Sequence, residues 1–169
     1  MALPRKLKHM NLFNDGTSYV GQVEEVVPPV LTRIMEEWRG GGMNAPIKTD
    51  QGMEALSMDW TCGGIMDDAL KQFGITTHDG VMLRFAGACQ RDDSAEVDAV
   101  EIVVRGRHSA IDMGSAKTGE ASPFKVTSEL SYYKLSLNGE ELIEIDILNM
   151  IEKVGGVDRL ADHRAAIGL

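Results

Sequence analysis

Basic residues are in short supply: 17 Lys and Arg stand against 26 Asp and Glu in this 169-residue chain, a formal net charge of −9. Tight binding of DNA or RNA needs clustered cations to neutralise phosphates, so the balance argues against a nucleic-acid-binding module. It remains compatible with lying beside DNA where the task is to repel it. Cysteine is nearly absent. Cys62 and Cys89 each sit in a strand-like run, read as buried free thiols, and have no partner at metal-ligand spacing. Aromatics make up only 5%, and the ten Met take over part of the packing, most of them expected in the core. No stretch approaches the roughly 20 apolar residues of a membrane span. The basic start at Arg5, Lys6 and Lys8 is not followed by an apolar run of signal-peptide length, so the chain is expected to be intracellular when made.

Local catalytic patterns are missing as well. Gly40-Gly41-Gly42 precedes no Gly-Lys-Ser/Thr and opens no helix, which removes the phosphate-loop reading. His9, His78, His108 and His163 lie far apart, with no His-x-His or His-Glu-x-x-His pattern. No Ser stands in a Gly-x-Ser-x-Gly elbow. The acidic pairs Glu24-Glu25, Glu36-Glu37, Asp67-Asp68 and Asp92-Asp93 are adjacent residues, which point to opposite faces of a strand and do not converge on a substrate. Solvated faces and a helix start explain them. The residues nominate no catalytic, cofactor or metal site. An enzyme on a β-scaffold would need a cluster that only folding assembles.

What fills the chain instead is alternation. In FKVTSELSYYKLSLNGEELIEIDI, Phe124, Val126, Ser128, Leu130 and Tyr132 share one face, while Lys125, Thr127, Glu129, Ser131 and Tyr133 share the other. Asn138-Gly139 supplies a two-residue hairpin turn, followed by Ile143, Ile145 and Ile147 on one face. Asn11 to Gln22 reads as a first hairpin turning at Asn14-Asp15-Gly16. Val26 to Trp38 reads as an extended run that Pro28-Pro29 forces to an edge or bend. Leu56, Met58, Trp60 and Cys62 alternate with Ser57, Asp59 and Thr61; Val81 to Arg91 and Val97 to Ile111 are two further strands. Glu101, Arg105 and Arg107 share a face of the second. Met66 to Phe73 reads as a short helix ending at Gly74. Gly155-Gly156 is expected to close the strand region, and Val157 to Ile167 to form a C-terminal helix with Val157, Leu160, Ala161 and Ile167 as its apolar stripe. Arg39 to Asp50 and Asp112 to Ser122 read as long loops. The fold class is mainly β: one domain, an antiparallel barrel or sandwich with a short internal helix and a C-terminal helix.

Five segments in order carry a family likeness: PRKLKHMNLF (Pro4 to Phe13), LTRIMEEWRGGGM (Leu31 to Met43), LRFAGACQRDD (Leu83 to Asp93), VVRGRHSAID (Val103 to Asp112) and the tail from Asn138 to Leu169. Together they resemble, over essentially the whole chain, the major tail tube proteins of contractile-tailed bacteriophages, relatives of tailocin and type VI secretion tube proteins. The resemblance implies a single tail-tube domain over 1–169, a structural subunit without catalysis or cofactor, and stacked hexameric rings forming a hollow conduit for DNA ejection. It implies as partners further copies of the chain, the tail sheath protein, and baseplate initiator, tape measure and tail terminator proteins. It further implies that DNA passes through the lumen without specific binding. The location implied is the virion, with synthesis in the host cytoplasm. A tailocin or secretion-type tube subunit, including one that carries cargo in its lumen, is the alternative.

Under that reading, the inter-ring contact is expected from the loop carrying Arg39, Gly40, Gly41, Gly42, Met43, Asn44 and Pro46, with Asp112 to Ser122 as a second contact. A lumen for DNA should be polar and not strongly basic, because cationic walls hold phosphates. The polar strand positions Ser57, Asp59, Glu101, Thr127, Glu129 and Ser131 are the lumen candidates. Arg105 and Arg107 on the face of Glu101 then belong near a rim or in an ion pair.

Overall fold

A computed structural model describes residues 2–169. The elements in chain order are β1 (Lys6–Asn14), β2 (Thr17–Ser18), β3 (Val23–Val27), β4 (Arg33–Trp38), β5 (Ile47–Met53), β6 (Leu56–Cys62), α1 (Asp67–Lys71), β7 (Val81–Gln90), β8 (Val97–Asp112), β9 (Phe124–Leu137), β10 (Glu140–Asp146), β11 (Ile151–Val154), β12 (Val157–Asp158) and α2 (Ala161–Ala166). Hairpin turns fall where the sequence supplies them. Asp15-Gly16 (φ 46° and 87°) joins β1 to β2, and Asn138-Gly139 (φ 51° and 80°) joins β9 to β10.

Ten strands form one antiparallel sheet, ordered β12-β11-β10-β9-β8-β7-β1-β2, with β6 and then β3 branching from β9. The branch point is β9. One of its edges pairs with β8 along its length. The other pairs with β6 over Phe124 to Leu130 and with β10 over Tyr132 to Leu137. The sheet curls so that its apolar faces enclose a single core containing Leu12, Tyr19, Met58, Trp60, Leu83, Val104, Phe124 and Val126. β3 runs close to β1, but among the described residues no ladder joins them, so the sheet stops short of a closed barrel.

The face alternation expected along β9 holds only to Leu130. Arg105 pairs with Tyr132 but Gly106 with Leu130, so Ser131 is an extra residue on β9. The bulge reverses the two faces: Tyr133 is 3% exposed and joins the core, whereas Tyr132 is only half-buried. The backbones approach closely there. A Cβ on Gly106 would lie 1.9 Å from the Glu129 carbonyl oxygen. At Ser109 a second bulge, now on β8, restores the register.

Other expectations shift for local reasons. Pro28-Pro29 does more than bend the second extended run; it divides it into β3, in the main sheet, and β4, in a separate two-stranded sheet with β5. Residues 47–50 of the expected loop are therefore strand. Gly155-Gly156 (φ 60° and 82°) turns β11 into β12 rather than ending the strands. Val157 is thus a ladder residue, and α2 is a short helix with no buried residue. Arg164 anchors α2 in place of an apolar stripe, donating to Asp158 Oδ2 at 2.6 Å and to the Met150 carbonyl at 2.5 Å. Of the methionines, Met58 and Met66 are buried and Met10 and Met53 pack against the core, while Met35, Met82 and Met113 are exposed. Cys62 and Cys89 are free thiols, the first buried and the second half-buried.

A polar chain crosses the core and fixes α1, whose only buried residue is Ala69. Gln72, at the end of α1, donates to Asn14 Oδ1 at 2.9 Å and to Asp15 Oδ2 at 2.7 Å. Its oxygen is thereby left to accept from Asn14 Nδ2 at 2.8 Å and from His108 Nε2 at 3.0 Å. His108 Nδ1 then accepts from the Ser128 hydroxyl at 2.9 Å, and Asn14 donates to Tyr19 at 3.0 Å. Burial pushes the His108 imidazole down to about 4, so it is neutral at pH 7.

The Gly106 approach gives a direct test. Gly106→Ala should lower stability by about 2–4 kcal/mol, because the collision is with backbone and no side chain can yield. Gly41→Ala, where nothing lies within 4 Å, should stay within about 0.5 kcal/mol. Thermal or urea melts of the two variants check this; equal midpoints would contradict it.

Candidate functional site

Three surfaces carry the residues of interest. The first is the β4–β5 hairpin. Every residue of β4 is exposed, the apolar Ile34, Met35 and Trp38 included. Trp38 and Ile47 face each other at the last ladder pair and are 60% and 53% exposed. The expected inter-ring residues Arg39, Gly40, Gly41, Gly42, Met43, Asn44 and Pro46 form the tip of this hairpin. Gly42 (φ 82°) makes its turn, the Gly40 N–H donates to Met43 Sδ at 3.1 Å, and Arg39 Nε donates to the Met43 carbonyl at 3.2 Å. An isolated two-stranded hairpin is marginal in water.

Arg33 ties the hairpin base to the body. Its Nε donates to Asp50 Oδ2 at 2.7 Å, and its Nη1 donates to both carboxylate oxygens of Glu152 on β11, at 2.8 and 3.0 Å. The Gly52 N–H and the Arg33 guanidinium hold the Asp50 carboxyl below the ordinary carboxylate range. The Asp50 and Glu152 hydrogen bonds raise Arg33 in turn.

The second surface is the outer, polar face of β6, β9 and β8. Four of the lumen candidates come together on it: Ser57 is paired with Glu129 and Asp59 with Thr127. Glu129 accepts from the Ser109 hydroxyl at 3.2 Å, and Arg107 pairs opposite Glu129. Ser57 and Asp59 also line a cleft of about 300 Å³ with Val27, Pro28 and Val30. Two candidates stand apart. Glu101 lies six residues from Arg107 along β8, roughly 20 Å away, and its carboxylate meets Arg84 at 3.1 Å. Ser131, at the bulge, donates to the His78 carbonyl at 3.3 Å. The second expected loop, between β8 and β9, is turned at Gly119 (φ 84°) and is exposed over most of its length.

The third surface was not foreseen from the sequence. Two cavities of about 710 and 410 Å³ share Arg33, Gly52, Glu152 and Leu160 as walls and lie between the hairpin base and the β10–β11 limb. The smaller has an apolar floor of Met53, Ile145, Met150, Ile151 and Leu160. Its sequence signal was weak, because β11 is four residues long and abuts a Gly-Gly pair that also reads as a strand-region end. The signal for β5 was weak too: Ile47 and Thr49 are its only β-branched residues, and they pair with Trp38 and Glu36 across a segment that reads as a loop.

Among the described residues no group of three or more His, Cys, Asp or Glu is placed to hold a metal ion, and no helix is long and apolar enough to cross a membrane.

The profile of the family described as phage tail tube protein FII matches residues 4–168. The chain is 49% identical over 172 residues to the tail tube protein of Escherichia phage P2, covering the whole of both chains. It is 34% identical over 172 residues to the major tail tube protein of Serratia phage KSP20, covering all of this chain and 99% of that one. Among solved structures, a PVC extracellular contractile injection system in the extended state gives two similar chains. One, from its sheath–tube complex, matches at TM-score 0.60 and 10% identity, over 79% of this chain and 91% of that one. The other, from its sheath/tube terminator, matches at 0.61 and 10% identity, over 79% and 96%. The cap that terminates the tube of the anti-feeding prophage matches at 0.61 and 10% identity, over 80% and 94%. At such identities these structures establish a shared fold.

The Arg33 tie predicts a local effect. In Arg33→Ala, amide hydrogen exchange across residues 33–38 and 47–53 should rise by about tenfold or more, with the melting midpoint within about 2 °C of the parent. Exchange measured by mass spectrometry checks it; unchanged protection in the hairpin would show that the ion pairs do not hold it.

Proposed function

The chain belongs to the phage tail tube protein FII family, and we propose that it performs the family role by assembling into stacked hexameric rings that form a hollow conduit for DNA ejection. It is a tail tube protein of the contractile-phage kind, a structural component of the virion. The observation that best supports the assembly reading is that the chain is unfinished as a monomer. Among the described residues the β4–β5 hairpin has no covering layer, and β2, β3 and β12 end the main sheet as open edges.

Open edges can extend a sheet across subunits through unpaired backbone groups. A ring of identical subunits needs a heterologous contact, in which one patch meets a different patch on the neighbour. The hairpin tip, Arg39 to Pro46, together with the loop Asp112 to Ser122, supplies contacts between rings. The patch of Ser57, Asp59, Thr127 and Glu129 faces the lumen, with Glu101 and Ser131 contributing further along the same strands. Such a wall is polar and holds no phosphate. The net charge of −9 supports passage without binding. The sheath protein surrounds the tube, and baseplate initiator, tape measure and terminator proteins meet its interior and ends. A tailocin or secretion-type tube would make the same physical demands; the 49% identity to the P2 protein favours the phage reading. The family relatives are structural tube proteins, and the role proposed here requires no catalysis.

Electron microscopy of the purified protein, with and without a preformed tail fragment as seed, tests the assembly reading. Hollow six-fold rings or tubes are expected, and monomers that ignore the seed would overturn it. Deleting Gly41 to Pro46 should abolish tube growth; unimpaired growth would remove the tip from the inter-ring contact. Glu101→Lys combined with Glu129→Lys should leave assembly intact but slow DNA ejection from phage carrying both, and a normal ejection rate would count against the lumen assignment.

A further inference from the structure

Asn138 is held by more bonds than a turn residue needs. Its backbone N–H donates to the Ala99 carbonyl at 2.8 Å, and its side-chain oxygen accepts from the Ala99 N–H at 2.8 Å. The side-chain amide thus continues the β8–β9 ladder past its last strand pair, Val100 with Leu137. Its Nδ2 donates to Asp98 Oδ1 at 2.8 Å. The Ala99 N–H can only donate and the carboxylate can only accept, so these two bonds fix which end of the amide is which. Asp98 Oδ2 forms an ion pair with Arg5 Nε at 2.8 Å. One carboxylate therefore joins the N-terminal arm, the start of β8 and the β9–β10 turn.

The next residue gives this clamp a chemical consequence. Asn138-Gly139 is the one Asn-Gly step in the sequence. In an open chain a glycine nitrogen attacks the preceding asparagine amide readily, because no side chain blocks its approach. Both residues are exposed, and among the described residues nothing lies within 4 Å of the Cβ position of Gly139. Water and hydroxide reach the site, so only conformation separates the reacting atoms. Attack needs Asn138 Cγ to swing over the Gly139 nitrogen. That movement takes the amide away from Ala99 and Asp98 and the turn out of its left-handed form (φ 51° and 80°).

We propose that Asn138 is a deamidation site that the fold keeps closed, with Asp98 and the Ala99 backbone as its clamp. Where the clamp opens, the Gly139 nitrogen gives its proton to hydroxide and bonds to Asn138 Cγ. The bond from Cγ to Nδ2 breaks, and Nδ2 leaves as ammonia. Water then opens the cyclic imide at one of its two carbonyls, leaving either a carboxylate side chain or an isoaspartyl backbone lengthened through Cβ. One amide and one water become one acid and one ammonia, with no change of oxidation state. Neither product fits the clamp. The carboxylate has lost the donor that met Asp98 and places like charges at hydrogen-bond distance. The lengthened backbone no longer matches a two-residue turn. A virion subunit is made once and not renewed, so a closed Asn138 preserves it, and the modification marks copies whose turn has opened. The inference stands apart from the assembly reading.

Peptide mass spectrometry of the full chain, aged at mildly alkaline pH, measures conversion at position 138 and separates aspartate from isoaspartate by fragmentation. Conversion in the folded parent should be slower by about tenfold or more than in parent held unfolded in urea. Asp98→Ala removes the acceptor and should raise the folded rate by about fivefold or more, the effect of losing one hydrogen bond. Asp98→Asn keeps an acceptor oxygen and should stay near the parent rate. Amide exchange of β7 in the same samples should match the parent, which separates opening of the turn from global unfolding. Asn138→Asp copies one product and should lower the melting midpoint by about 3 °C or more. Adding Asp98→Asn exchanges donor and acceptor and should restore most of that loss. Equal rates in folded and unfolded parent would overturn the proposal. So would an Asp98→Ala rate equal to the parent's, or one raised only in step with lost β7 protection.

Discussion

β9 serves two different neighbours along one edge, and on its other edge β8 comes into backbone contact with it at Gly106, beside the point where those neighbours change. A Cβ there would meet the Glu129 carbonyl oxygen at 1.9 Å, so the approach is open only to glycine. The bulge at Ser131 takes up the extra residue and reverses which side chains face inward. Below it, β9 pairs with β6 and sends Phe124, Val126 and Leu130 into the core. Above it, β9 pairs with β10 and contributes Tyr133. The fork frees the β10–β11 limb to diverge from β6, and the space between that limb and the hairpin base holds the two cavities.

The rest of the molecule divides between what is finished and what is left open. The core holds its polar atoms in a chain of specific hydrogen bonds from Asn14 and Tyr19 through Gln72 to His108 and Ser128. Buried polar groups are costly unless paired, so such a chain fixes one position for α1 against the sheet. The hairpin has no equivalent. Ile34, Met35, Trp38 and Ile47 face solvent, and only its base is attached, by Met53 packed against the core and by a guanidinium shared between two carboxylates. Surface ion pairs of this kind contribute little stability but do define direction. A rigid body with a weakly held, apolar-tipped arm suits a subunit whose last contacts are made by its neighbours.

The acidic balance fits the same division. Its carboxylates are used in pairs at the surface, such as Lys8 with Asp92 and Arg84 with Glu101, or left in water on the outer face of β6 and β9. A conduit gains from that arrangement, because a wall that attracts phosphates would slow what passes along it.

Elements whose signal is local were legible in the sequence. Alternation alone located β6, β7, β8 and the start of β9, and Asp15-Gly16 and Asn138-Gly139 located their turns, because period-two burial and positive φ are properties of a few neighbouring residues. Pro28-Pro29 marked a break for the same reason. Ordered segments spread along the chain carried the family likeness. Tertiary structure decided whatever depends on a second strand. It set the reversal of faces at Ser131, which needs the register of β8, and the strand character of residues 47–50, which needs β4. The pairing of Ile151 to Asp158 across Gly155-Gly156 imitates a chain end when read alone. The grouping of Ser57 and Asp59 with Thr127 and Glu129, and the separation of Glu101 from them, followed from cross-strand pairing. A sequence records which way a side chain points relative to its neighbours in the chain; only the ladder records which distant residue stands beside it.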